Sequence, residues 1–100
     1  MKKGKEYDKD GKLIFEGEYL NGQKWNDNCK EYYDNGQFIG NYINGKRNGE
    51  GKEYNSNGEL IFEGIYLVGV RWNGKGKEYN NKNELIFEKV YYKGNSHKKI

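Results

Sequence analysis

The chain has 100 residues, enough for one ordinary domain, and only 33% of them are apolar, well below the roughly 45–50% of globular proteins. There is no Ala, Pro or Thr, while Gly reaches 15 and Tyr 10, so helix is disfavoured and strands are favoured. The formal charge is +3, yet four lysines (Lys2, Lys3, Lys98, Lys99) sit at the ends, and without them 14 basic residues face 15 acidic ones. Such a body lacks the basic footprint of a nucleic-acid binder.

Along the chain the same parts recur in the same order. Lys-Glu-Tyr opens a short strand at Lys5, Lys30, Lys52 and Lys77. A turn rich in Asp, Asn and Gly follows: Asp8-Lys9-Asp10-Gly11, Asp34-Asn35-Gly36, Asn55-Ser56-Asn57-Gly58 or Asn80-Asn81-Lys82-Asn83. These residues tolerate positive φ and predict hairpins. A second strand comes next, Leu13-Ile14-Phe15-Glu16-Gly17-Glu18-Tyr19-Leu20 in the first unit, and a turn such as Asn21-Gly22 or Asn44-Gly45 closes it. Tyr19, Tyr42, Tyr66 and Tyr91 recur at spacings of 23, 24 and 25 residues. A fixed period of this size predicts an array whose units bury their apolar faces against their neighbours. The units run over 5–29, 30–51, 52–76 and 77–100, the last incomplete and capping, in a single repeat domain over 1–100.

Alternation places Leu13, Phe15, Gly17 and Tyr19 on one strand face. A glycine between two aromatics leaves a slot, and the candidates to fill it are Tyr7, Tyr32, Tyr54, Tyr79, Trp25 and Trp72. The expected fold is all-β: an elongated single-layer antiparallel meander of stacked hairpins without substantial helix, held by an aromatic ladder.

Phe38-x-Gly40-x-Tyr42-x-x-Gly45-x-x-x-Gly49-x-Gly51 resembles the MORN repeat, and Phe62, Gly64, Tyr66, Gly69, Gly74 and Gly76 match it with one inserted residue. The first unit has Phe15, Gly17, Tyr19 and Gly22, with Asn28 and Lys30 read at the Gly-x-Gly positions; the fourth keeps Phe87, Tyr91 and Gly94. The resemblance implies elongated sheets used in scaffolding, cytoskeleton-associated and membrane-juxtaposed proteins and joined to some lipid kinases. It implies self-association and phosphoinositide binding, and brings no catalytic residue with it.

No other chemistry emerges from the residues. Asp8-x-Asp10-Gly11 has its glycine too early for a calcium loop. Gly49-Glu50-Gly51-Lys52 and Gly74-Lys75-Gly76-Lys77 lack the Ser/Thr and the helix of a phosphate loop. Glu16 and Glu18 read as solvated charges, and the Lys-Glu columns as a solvated face. His97 has no triad partner, and Cys29, the only cysteine, suits a reducing compartment. Met1-Lys2-Lys3-Gly4-Lys5 has no apolar stretch behind it and does not read as a signal peptide. The expected location is cytoplasmic, with a peripheral place at membrane or cytoskeleton.

The expectation is therefore a non-enzymatic module without cofactor, metal, nucleic acid or small-molecule substrate. It binds a protein partner, or itself, along an aromatic groove of Tyr19, Trp25, Tyr42, Tyr66, Trp72 and Tyr91. The alternative is an anionic phospholipid surface met by Lys46, Arg47, Arg71, Lys75 and the terminal lysines; a third reading is a spacer in a larger enzyme or scaffold.

Overall fold

The computed structural model describes residues 2–99; Met1 and Ile100, the two ends of the expected domain, lie outside the described residues. Nine strands follow one another: β1 (Lys2–Tyr7), β2 (Leu13–Leu20), β3 (Gln23–Tyr33), β4 (Gly36–Ile43), β5 (Lys46–Asn55), β6 (Leu60–Leu67), β7 (Val70–Tyr79), β8 (Leu85–Tyr92) and β9 (Asn95–Lys99). They form one antiparallel meander in sequence order, with no helix among the described residues. The molecule is a slab of 44 × 31 × 17 Å. The expected all-β array of stacked hairpins is thus the architecture found.

Two kinds of turn make the hairpins. On one side of the sheet, Asn21-Gly22, Asn44-Gly45, Val68-Gly69 and Lys93-Gly94 all have positive φ at both residues, the turn whose twist matches that of paired strands. Val68, at φ 47, carries the strain of a β-branched residue there. Its amide donates to Asn48 Oδ1 at 3.0 Å, and that of Lys93 to Asn73 Oδ1 at 2.9 Å. These turns also tie successive units together. Gly45, Gly69 and Gly94 donate their amides to the carbonyls of Lys24, Arg47 and Trp72 at 2.8–3.0 Å. On the other side, Asp8, Asn55 and Asn80 each accept two backbone amides on Oδ1, which closes the longer turns.

Register puts the core on one face. Phe15, Phe38, Phe62, Tyr42, Tyr66 and Cys29 are buried, and Tyr19, Tyr33 and Tyr91 pack against them. A lone sheet hides large rings because its glycines let the rings lie flat on the backbone. At the centre Gly51 is paired with Gly40 on one side and Gly64 on the other. A methyl built on Gly51 would meet Phe38 Cε1 at 2.6 Å and Tyr66 Cε1 at 2.8 Å. The slots are therefore filled by Phe and Tyr of the even strands, not by the expected Tyr7, Tyr32, Tyr54, Tyr79, Trp25 or Trp72. Over Gly17 the occupants are the Phe15 ring and the Cys29 thiol.

Candidate functional site

The rings form a continuous edge-to-face ladder: Tyr19, Phe15, Tyr42, Phe38, Tyr66, Phe62, Tyr91. Centroids are 5.1–5.9 Å apart and planes meet at 72–85°. Each such contact adds about 0.5–1.5 kcal/mol beyond area burial. Cations of the odd strands lie over the phenylalanine faces. Lys24 Nζ is 4.4 Å from the Phe15 centroid, Arg47 Cζ 4.1 Å from that of Phe38, Arg71 Cζ 4.9 Å from that of Phe62 and Lys98 Nζ 4.1 Å from that of Phe87.

The glutamates of Lys-Glu-Tyr complete this layer. Glu53 is paired with Phe38 and Phe62 on either side and is 8% exposed. It accepts the Tyr66 phenol and a two-pronged contact from Arg71; Arg71 Nη1 also reaches the Tyr91 hydroxyl at 2.8 Å. Glu31 accepts Arg47 Nε at 2.8 Å, Glu6 accepts the Tyr19 phenol, and Lys89 Nζ stands 2.8 Å from Glu78. Burial by itself drives the Glu53 carboxyl up, but the bonds from Arg71 and Tyr66 and the charges of Arg71 and Arg47 hold it below its ordinary value. Burial and the bond to Glu53 raise the Tyr66 phenol, and the bond to Glu53 raises Arg71. Around Glu53 the layer is a closed electrostatic network.

The six aromatics expected to line a groove fall into separate settings. Tyr42 and Tyr66 are 3% and 1% exposed, sealed inside the ladder, and Tyr19 and Tyr91 are its half-buried ends. Trp25 is paired with Glu18, while its neighbour Lys24 covers the ladder, so Trp25 faces the other way. Trp72 is the extra residue of a bulge between the Ile65–Asn73 and Tyr66–Arg71 pairs, and its ring lies against the Gly94 turn. Of the four cations of the lipid reading, Arg47 and Arg71 bind Glu31 and Glu53. Lys46 is exposed, and Lys75, also exposed, is opposite Glu63.

Cys29 corrects the alignment of the first unit. It precedes Lys30-Glu31-Tyr32 as Gly51 precedes Lys52, and it is paired with Gly40. Cys29, rather than Lys30, thus holds the second glycine position. Its Sγ is 3.3 Å from the carbonyl oxygens of Trp25 and Asn26, and burial raises its pKa.

The opposite face is charged along one row and apolar beside it. Lys5, Glu16, Lys30, Ile39, Lys52, Glu63 and Lys75 follow one another strand by strand. Lys75 takes the place expected for Lys77, which pairs with Glu88. Tyr32 donates to Glu16 at 2.6 Å, and burial together with that bond pushes its phenol up to about 12. Over β6–β8 the same face bears Ile65, Leu67, Val70 and Tyr92, 40–61% exposed. Leu67 and Val70 are cross-strand partners, and Ile65 pairs with Asn73. That apolar cluster has no sequence signal of its own, because its members lie at or near the ends of three different strands.

A hollow of about 790 Å³, open to solvent, lies over β1–β3 among Lys3, Lys5, Glu16, Glu18, Asp27 and Lys30. Among the described residues no group of His, Cys, Asp and Glu is placed to hold a metal ion. No helix of the structure is long and apolar enough to cross a membrane. Compared with known proteins, the chain matches no family, no curated protein and no solved structure.

Proposed function

We propose that this chain is a non-catalytic protein-interaction module, a MORN-type array whose contact surface is the exposed apolar cluster of Ile65, Leu67, Val70 and Tyr92. The observation that carries the reading is the contrast between the two faces. The ladder face is closed by its own arginines and glutamates, with Tyr42 and Tyr66 sealed inside it. The other face leaves the cross-strand partners Leu67 and Val70 in water, with Ile65 two residues along the same strand from Leu67, and exposed apolar patches mark interaction sites. A protein partner therefore meets the array on the face away from the aromatic groove. The phospholipid reading has less support, since Arg47 and Arg71 are engaged inside the fold.

The test is reconstitution. Proteins cross-linked to the chain in cells are identified and purified, and a stoichiometric complex is sought with the wild type and with a Leu67→Glu/Val70→Glu variant. The expected result is a complex that the double substitution abolishes while the melting curve is retained. A complex formed equally well by the variant overturns the assignment of the surface, and finding no stoichiometric complex overturns the function.

A further inference from the structure

The outer edge of β1 is an interior strand position with one neighbour missing. β1 carries Gly4-Lys5-Glu6-Tyr7, the same four residues as Gly51-Lys52-Glu53-Tyr54 in β5. On its inner side it has the same register: Gly4 with Gly17, Lys5 with Glu16 and Glu6 with Phe15, as Gly51 has Gly64, Lys52 has Glu63 and Glu53 has Phe62. β5 repeats that register on its other side, with Gly40, Ile39 and Phe38. Among the described residues, β1 lies at the edge of the sheet with no strand on that side.

The vacancy has a shape. Gly51 lies beneath two rings, one from each neighbouring strand, whereas Gly4 lies beneath Tyr19 alone. Tyr42 and Tyr66 each touch two phenylalanines, and Tyr19 touches only Phe15, at 5.7 Å. The missing piece is a phenyl ring arriving opposite Glu6. The other face of β1 presents Lys3 and Lys5, each already opposite a glutamate on the inner side, Glu18 and Glu16. Among the described residues their outer sides have no cross-strand partner.

We propose that the edge of β1 is a strand-addition site for an extended acidic segment of the form Phe-Glu-Gly-Glu. It runs antiparallel to β1 with Phe opposite Glu6, the carboxylates opposite Lys5 and Lys3, and Gly opposite Gly4. Main-chain hydrogen bonds supply affinity, and the ring seat and the two lysines supply selectivity. A second copy of the chain does not offer such a strand. Its own Phe-Glu-Gly segments, in β2 and β6, are paired on both sides, and β8 reads Phe87-Glu88-Lys89, with a lysine where Gly4 needs a glycine. The β9 edge carries no equivalent seat, because Lys98 already covers the Phe87 ring.

The test is an NMR titration of the ¹⁵N-labelled full chain with a capped peptide of the β2 sequence, Leu-Ile-Phe-Glu-Gly-Glu-Tyr-Leu. Two companion peptides replace the Phe by Ala or both Glu by Lys. Saturable shifts are expected in β1 and at Tyr19, with affinity lower by at least about tenfold for the Ala peptide, from the loss of a buried phenyl. The Lys peptide should bind more weakly still. Shifts confined to β9 or to the apolar cluster, equal binding of the three peptides, or no saturable shift would each overturn the proposal. The site does not depend on the apolar cluster: the Leu67→Glu/Val70→Glu chain is expected to bind the peptide undiminished. The two readings therefore fail separately.

Discussion

Arg71 grips Glu53 with two parallel hydrogen bonds, Nε to Oε2 and Nη2 to Oε1, both 2.8 Å. The fork crosses from β7 to β5, over the Phe62 ring of the strand between them. It ties the first and last strands of the third unit by side chains alone, in geometry that lysine lacks. Arg71→Ala leaves a nearly buried carboxylate with Tyr66 and a more distant Arg47. Because Arg71 is itself about one-third exposed, the expected loss is discounted for solvent to about 2–3 kcal/mol. Arg71→Lys should fall between the two. Urea unfolding of the three proteins checks this, and equal midpoints for Lys and Arg would refute the role of the fork.

The same carboxylate predicts an acid response. Its folded pKa lies below the ordinary value, so the unfolded chain takes up the proton first as pH falls. The contribution of Glu53 is full above about pH 4.3, the unfolded value, and is lost below it as the folded carboxylate protonates in turn. Glu53→Gln removes that titration. The variant should be less stable at neutral pH, with a shallower decline between pH 4.5 and 2 in chemical denaturation. A parallel decline would show that other carboxylates set the acid limit.

Strands and turns are legible in this sequence because Lys-Glu-Tyr opens every unit and Asn-Gly marks a turn in the first three. Face and register are not. The inward turn of Glu31 and Glu53 depends on which residues stand opposite, Phe38 for both, and no local signal carries that. The glutamates read as solvated charges for the same reason. Trp72 was misplaced because the insertion that lengthens its unit is absorbed as a bulge. Spacing forward from Gly22 hides Cys29, whereas its place just before Lys30-Glu31-Tyr32, opposite Gly40, sets it in the glycine column. The recurrence of Tyr42 and Tyr66, which suggests a groove, is a packing signal, and packing is what buries them.

Two glycines with different reasons for being glycine separate packing from backbone strain. Gly51 has ordinary φ but no room, with Phe38 and Tyr66 carbons within 3 Å of a built methyl. Gly58 has φ +82 and open space around it. Gly51→Ala should cost about 1–3 kcal/mol through displaced rings, and Gly58→Ala about 1–2 kcal/mol through a left-handed conformation. The near-ultraviolet dichroism of the rings should change for Gly51→Ala alone. If both variants retain the wild-type ring signal, the glycine column is not a packing device.

Phe38 and Phe87 occupy the same place in the second and fourth units but not the same surroundings. Phe38 is fully buried, touches Tyr42 and Tyr66 and lies beneath Arg47. Phe87 is half-buried at the far end of the sheet, with Lys98 above it. In an array whose units are held by their neighbours, a central gap breaks contacts in both directions. Phe38→Ala is expected to cost about 3–5 kcal/mol, a large part of the stability of a chain this short. Phe87→Ala should cost less than half as much, since its ring has less surface to lose. Thermal melts would show the difference, and hydrogen exchange would locate it. Phe38→Ala should speed exchange from β3 to β6, whereas Phe87→Ala should loosen only β8 and β9. Equal effects at the two sites would mean that the ladder is not continuous in energy, whatever its geometry.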